Sequence, residues 1–162
     1  MLHAQLCLAM AMLASNAVPK ERIALACSMA PAIVENSQRT GADPYLISAL
    51  IWTESRWNPA AKNGNSCGVA QINPGRTRGT CEQLKDPAYA IAVAARLLGR
   101  KGYWQSITRK YCRVHGCNNM AALLAAYNTG HPKGLDTASG RHYADKVLAA
   151  YKKLKAAATK SK

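Results

Sequence analysis

The sequence has no phenylalanine and only eight acidic residues. Leu, Ile, Val, Ala, Tyr and Trp must therefore fill the interior, and the search for a catalytic carboxylate is confined to Glu21, Glu35, Asp43, Glu54, Glu82, Asp86, Asp136 and Asp145. No stretch alternates apolar and polar residues over a convincing length, which excludes a sheet-based fold. No apolar run reaches the roughly 20 residues a membrane-spanning helix needs. A Gly-rich phosphate loop, a basic helix with reader side chains and an interleaved aromatic platform are all missing, so a nucleic-acid partner is not expected. There is no internal repeat.

What is present is a chain of 162 residues, enough for one domain with a substantial core and too few for two of ordinary size. Hydrophobic residues make up 49% and charged ones 19%, which argues against disorder. The 22 Lys and Arg leave a net charge of +14, and a polyanionic partner follows, with bacterial cell wall and an anionic membrane surface both qualifying. Residues 157–162 read as a basic tail continuing the run that begins at Lys152 and Lys153. That run is either a solvated helix end or an electrostatic attachment to the wall.

Residues 1–17 carry no Lys, Arg, Asp or Glu, and an apolar block from Leu6 to Leu13 precedes the small-x-small pattern Ser15-Asn-Ala17. This resembles a secretory signal peptide without the usual positive n-region; the alternative is a retained helix packed on the core. Six cysteines suit an oxidising compartment. Cys67 and Cys81 bracket a loop, Cys112 and Cys117 bracket a tight turn through Arg113-Val-His-Gly116, and both pairs are expected as disulfides. Cys7 and Cys27 can pair only if the first segment is kept; otherwise Cys27 is a buried thiol. Cys112, His115 and Cys117 invite a zinc reading, but a fourth ligand is missing and the spacing fits no standard site, so no metal is expected.

The main domain is expected over residues 18–156 as an all-α or mainly α unit. A short helix follows Pro19, a second starts at Pro31 and stops at Gly41, and a third opens with Asp43-Pro44. Residues 56–80, rich in Asn, Gly and Pro, read as a long loop of the kind that carries function. Asp86-Pro87 repeats the start signal for a helix ending near Gly102. Further helices are expected over 104–112, 118–127 and 141–156.

The third helix carries the chemistry. Ile47, Leu50 and Glu54 stand at i, i+3 and i+7, so the carboxylate shares the apolar, buried face. Burial and the negative end of the helix dipole both raise a carboxyl pKa, as a general acid requires. The plainer reading is a solvated glutamate held ionised by Arg56. Among the other acids, Asp43 and Asp86 are better explained as helix caps, while Glu82 and Asp136 stay open as a second carboxylate with no feature to recommend either.

Three short motifs follow in order: Glu54-Ser-Arg-Trp-Asn-Pro59, Gly68-Val-Ala-Gln-Ile-Asn-Pro74 and Ala125-Ala-Tyr-Asn-Thr-Gly130. From about Ile33 to Tyr151 the chain resembles the catalytic domain of soluble lytic transglycosylases, relatives of goose-type lysozymes. The resemblance implies a single lysozyme-like domain with a long active-site loop after the catalytic helix. It implies an exported monomer, in the periplasm or cell envelope, that acts on peptidoglycan glycan strands without a cofactor. Service to a phage, secretion or conjugation machine that needs a local gap in the wall is compatible with it.

Residue by residue, the resemblance makes Glu54 the acid that protonates the bond between N-acetylmuramic acid and N-acetylglucosamine and then, as base, activates the 6-hydroxyl to close a 1,6-anhydro ring. Gln71 offers an amide to hydroxyl and acetamido groups. Tyr127 matches a tyrosine that contacts the site, although a core tyrosine beside Leu123 and Leu124 reads equally well. Gly68 would let sugar approach the backbone, and Asn128 would shape the following turn; simple turn chemistry explains both as well. Tyr143 matches a tyrosine near the cleft, with core packing as the alternative. Asn63 stands where the family often carries serine and Ser66 comes three later, which leaves the polar residue of that loop open. Ser139 and His131 also depart from the usual pattern. Trp57 and Trp104 can stack on sugars or fill the core. The same fold with water as acceptor would be a muramidase, and without turnover it would be a cationic wall-binding protein.

Overall fold

The computed structural model describes residues 1–77 and 79–160, a mainly α domain. Its centre is α3 (Pro44–Ser55). Asp43 Oδ1 accepts from the backbone N–H of Tyr45 at 2.8 Å and of Leu46 at 3.4 Å, and Pro44 occupies the first turn, so the expected start is the observed one. Every residue from Tyr45 to Ile51 is buried, because α3 is surrounded rather than lying on a surface. It rests along α8 (Ala138–Lys160) and touches α1 (Leu2–Ala14), α2 (Lys20–Thr40) and α5 (Pro87–Leu98).

Residues 2–14 form α1, whose Leu6, Ala9, Met10 and Ala14 are buried against α2 and α8. Cys7 is bonded to Cys27 of α2. The Ser48 hydroxyl of α3 reaches Met10 Sδ at 3.8 Å.

Two helices were expected between Pro19 and Gly41, and one is found. Pro31 sits inside α2 on its exposed side, while Ala26, Met29, Ala30 and Ile33 make a buried stripe that runs past it. Burial of that stripe outweighs the hydrogen bond the proline cannot donate. Gly41 ends the helix as expected, in the left-handed region at φ 71° with its N–H on Ser37 O.

Several boundaries move for identifiable reasons. Helix α5 stops at Leu98, short of Gly102, because the chain turns to bond α2: Arg100 N donates to Thr40 O at 3.0 Å. Helix α4 (Cys81–Lys85) was not expected, although Thr80 and Gln83 form a capping box. Helix α6 (Tyr103–His115) is longer than residues 104–112, so Arg113, Val114 and His115 are its last turn rather than a loop, and the Cys112–Cys117 bond spans its Gly116 cap. Helix α7 (Asn119–Thr129) is capped by Asn118. Helix α8 continues past residue 156, with Ala157 and Ala158 packed on the core, so the expected tail begins as helix. Residues 161–162 of that tail lie outside the described residues.

The segment after α3 is not a bare loop. β1 (Lys62–Asn63) and β2 (Ser66–Cys67) pair antiparallel, with Lys62 opposite Cys67 and Asn63 opposite Ser66. A 3-10 turn over Pro74–Arg76 follows, and Cys67 is bonded to Cys81 at the start of α4.

Candidate active site

Glu54, in the last turn of α3, opens into a cleft of about 550 Å³. One wall is the loop after α3, with Asn63, Ser66, Gln71 and Asn73; the other carries Leu97 from α5 and Tyr103 and Trp104 from α6. Tyr127 and Asn128 of α7 complete the lining. Among the described residues Glu54 is the one carboxylate in it. Glu82 is an exposed partner of Lys85 at 2.6 Å, and Asp136 accepts from the Tyr111 hydroxyl, so neither supplies a second acid.

Burial raises the Glu54 pKa from 4.5 to about 7, and the Tyr143 hydroxyl, which donates to Oε1, opposes part of that rise. The neighbouring arginine does not hold the carboxylate ionised. Arg56 takes the left-handed conformation at φ 51° as the cap of α3, which turns its side chain back over the Trp52 ring, 4.8 Å from the centroid. The described ion pairs involve Lys85 with Glu82 and Lys155 with Asp43. Arg56 is therefore a packing group, and desolvation decides the state of Glu54.

Tyr143 and Tyr127 are both held protonated, their pKa values pushed well up by burial first and then by the charge on Glu54. Tyr143 lies on α8 beneath the carboxylate, outside the cleft lining. Tyr127 lines the cleft and donates to Ala70 O at 2.7 Å, so it joins α7 to the loop wall. Core and site readings of these tyrosines coincide in one place.

Gln71 sits at φ 46°, and its amide nitrogen donates to Ala61 O and Gly68 O, both at 2.9 Å. Its donors bind the loop to itself, leaving the side-chain oxygen for a ligand. Gly68 is buried and absent from the lining. Its φ is 75°, and a Cβ there would stand 1.7 Å from Leu84 O, so glycine is required by the approach of α4. Ser66 and Asn63 both face the cleft, so the loop supplies two polar groups. Asn128 lines the cleft from within α7; the turn that follows is made by Gly130 at φ 87°.

Trp57 is fully buried at φ 59° and packs on Trp52 with ring centroids 4.8 Å apart, whereas Trp104 reaches the cleft. Sequence reasoning gave no role to Ser55. Its hydroxyl donates to Val69 O at 2.7 Å and accepts from Asn58 N at 3.1 Å, tying the end of α3 to the loop wall. Nor did it find Leu97, Thr77 or Tyr103, which no local pattern marks as cleft residues, and it gave no role of its own to Asn73, which lies within the second motif.

Residues 31–150 match the profile of the family described as Transglycosylase SLT domain. The chain belongs to that family. A comparison with curated proteins gives no match. Membership makes this a single lysozyme-like SLT domain and implies lytic transglycosylase activity on peptidoglycan, with glycan strands as the bound partner. Three disulfides, Cys7–Cys27, Cys67–Cys81 and Cys112–Cys117, are consistent with an extracytoplasmic location for the SLT domain. Among the described residues no helix is long and apolar enough to cross a membrane, and no cluster of three metal-ligating side chains occurs.

Proposed function

We propose that the protein is an exported peptidoglycan lytic transglycosylase in which Glu54 alone serves as acid and base. One observation carries the reading: among the described residues the cleft holds a single carboxylate, whose pKa burial raises to about 7. A two-carboxylate glycosidase would need a second acid across the sugar. A lone acid suits substrate assistance.

In the first step protonated Glu54 gives its proton to the oxygen of the β-1,4 bond between N-acetylmuramic acid and N-acetylglucosamine. The acetamido oxygen of the muramic acid bonds to C1 as that bond breaks. In the second step the Glu54 carboxylate takes the proton of the 6-hydroxyl, O6 bonds to C1, and the acetamido oxygen leaves. The product is 1,6-anhydro-muramic acid, and Glu54 is protonated again. The Tyr143 hydroxyl stabilises the ionised form between the steps. The side-chain oxygen of Gln71, Ser66 and Asn128 are offered to the sugar hydroxyl and acetamido groups.

The test is mass spectrometry of soluble products from purified peptidoglycan treated with wild-type protein and with Glu54→Gln. Anhydro-muropeptides from wild type only support the reading. Products heavier by one water, also lost in the variant, would make the enzyme a muramidase. No products from either would make it a wall-binding protein.

A further inference from the structure

The cleft wall built by α6 has a feature that acid–base chemistry does not use. Tyr103 is 70% exposed although it lines the cleft, and Trp104 beside it is half-buried. Their rings meet edge to face, with centroids 5.3 Å apart at 66°. Among the described residues the other exposed large apolar side chains are Met1, those of α1, and Val114 at the far end of α6. Tyr103 is thus the large ring that stands in solvent over the cleft.

Its support is fixed. Gly102, the residue before it, is packed so closely that a Cβ would lie 2.4 Å from Arg96 O and 3.0 Å from Leu97 O. The buried Thr108 hydroxyl donates to Trp104 O at 2.8 Å, and Gln105 Nε2 donates to Leu98 O at 3.4 Å. The Gln105 bond and the close packing of Gly102 hold the first turn of α6 against the end of α5, while the Thr108 bond lies within α6 itself. In the same lining are Asn63, Ser66 and Asn73, with amide and hydroxyl groups. A pyranose ring has an apolar C–H face and a polar rim of hydroxyl and acetamido groups. Aromatic surface together with amides complements that pattern.

We infer that Tyr103 and Trp104 form a stacking platform that holds one sugar ring of the glycan away from the bond being broken, so that the enzyme favours glycan chains long enough to reach it. The inference rests on the glycan-cleaving reading above. A ring lost from such a contact weakens binding about three- to tenfold.

The experiment compares Tyr103→Ala, Tyr103→Phe and the control Val114→Ala by steady-state release of soluble products from peptidoglycan. Tyr103 is exposed, so its truncation leaves the fold intact. Tyr103→Ala is expected to raise KM about three- to tenfold with kcat held, Tyr103→Phe to restore the wild-type KM, and Val114→Ala to change nothing. In parallel, tryptophan fluorescence of Glu54→Gln is titrated with chitin hexaose and chitobiose. A spectral shift with the hexaose that disappears in Glu54→Gln/Trp104→Phe supports the platform. An unchanged KM in Tyr103→Ala, with wild type active, overturns the platform and leaves the glycan reading standing. A wild-type protein that neither cleaves peptidoglycan nor binds the hexaose overturns both.

Discussion

The Tyr143 hydroxyl donates to Glu54 Oε1 across 89 residues of sequence, from α8 to α3. This bond works against burial. It lowers a carboxyl pKa that desolvation has lifted, and so places the group where it can both give and take a proton near neutral pH. Tyr143→Phe removes the donor and keeps the ring. The Glu54 pKa is then expected to rise further above 7. The alkaline limb of the pH–activity profile should shift to higher pH, with a lower maximum because the ionised intermediate loses its hydrogen bond. An unmoved limb would mean that Tyr143 only packs.

The raised pKa also makes stability depend on pH, and its sign is definite. Folded Glu54 titrates at about 7 and unfolded glutamate at 4.5, so the folded state binds the extra proton between them. That contribution is complete below 4.5 and is lost as pH rises through about 7. Above that pH the fold carries a half-buried charge costing about 3 kcal/mol. Glu54→Gln is therefore expected to match wild type in Tm at pH 4 and to exceed it at pH 8. Thermal melts at the two pH values check this.

Arg56 is two residues from Glu54 in sequence but lies on Trp52 in space. Arg56→Ala should leave the alkaline limb of activity where it is and lower stability by about 0.5–1 kcal/mol, the size of an exposed cation–π contact. A limb displaced to higher pH would show that the guanidinium reaches Glu54 after all.

The Cys67–Cys81 bond closes the segment that contributes Gln71, Ile72, Asn73 and Thr77 to the cleft. Replacing both cysteines by serine should lower stability by about 3 kcal/mol and raise KM, because a cleft wall loses its tether. The same change at Cys7 and Cys27, whose bond joins α1 to α2 away from the cleft, should lower Tm with KM unchanged. Kinetics on both variants, with melts in parallel, separates the two roles.

Gly68→Ala tests why a glycine stands in the loop. A Cβ would collide with Leu84 O in a backbone already at φ 75°, so a loss of about 2–4 kcal/mol is expected. Gly64→Ala also lies at positive φ, 56°, but has open space around it, and should cost about 1 kcal/mol. Equal losses would remove the steric argument and leave conformation alone.

Much of the frame was legible because its causes are local. The Asp-Pro starts of α3 and α5 are written in two adjacent residues, and the stop at Gly41 needs only a residue that tolerates positive φ. Glu54 could be placed on a buried face from helical spacing. The break expected at Pro31 did not occur, because a local rule was overruled by a stripe buried on distant helices. Helix α4 was missed although its capping box was readable, since so short an element has no periodicity to announce it.

The sequence by itself determined a mainly α domain, the ends of its central helix and the acid at one of those ends, because caps, prolines and apolar spacing act between neighbours. Only the tertiary structure decided what surrounds that acid. It brought Tyr143 to the carboxylate, sent Arg56 away from it and stood Tyr103 over the cleft. Desolvation and hydrogen bonding at Glu54 depend on which chain segments pack together, and that is set by the whole fold.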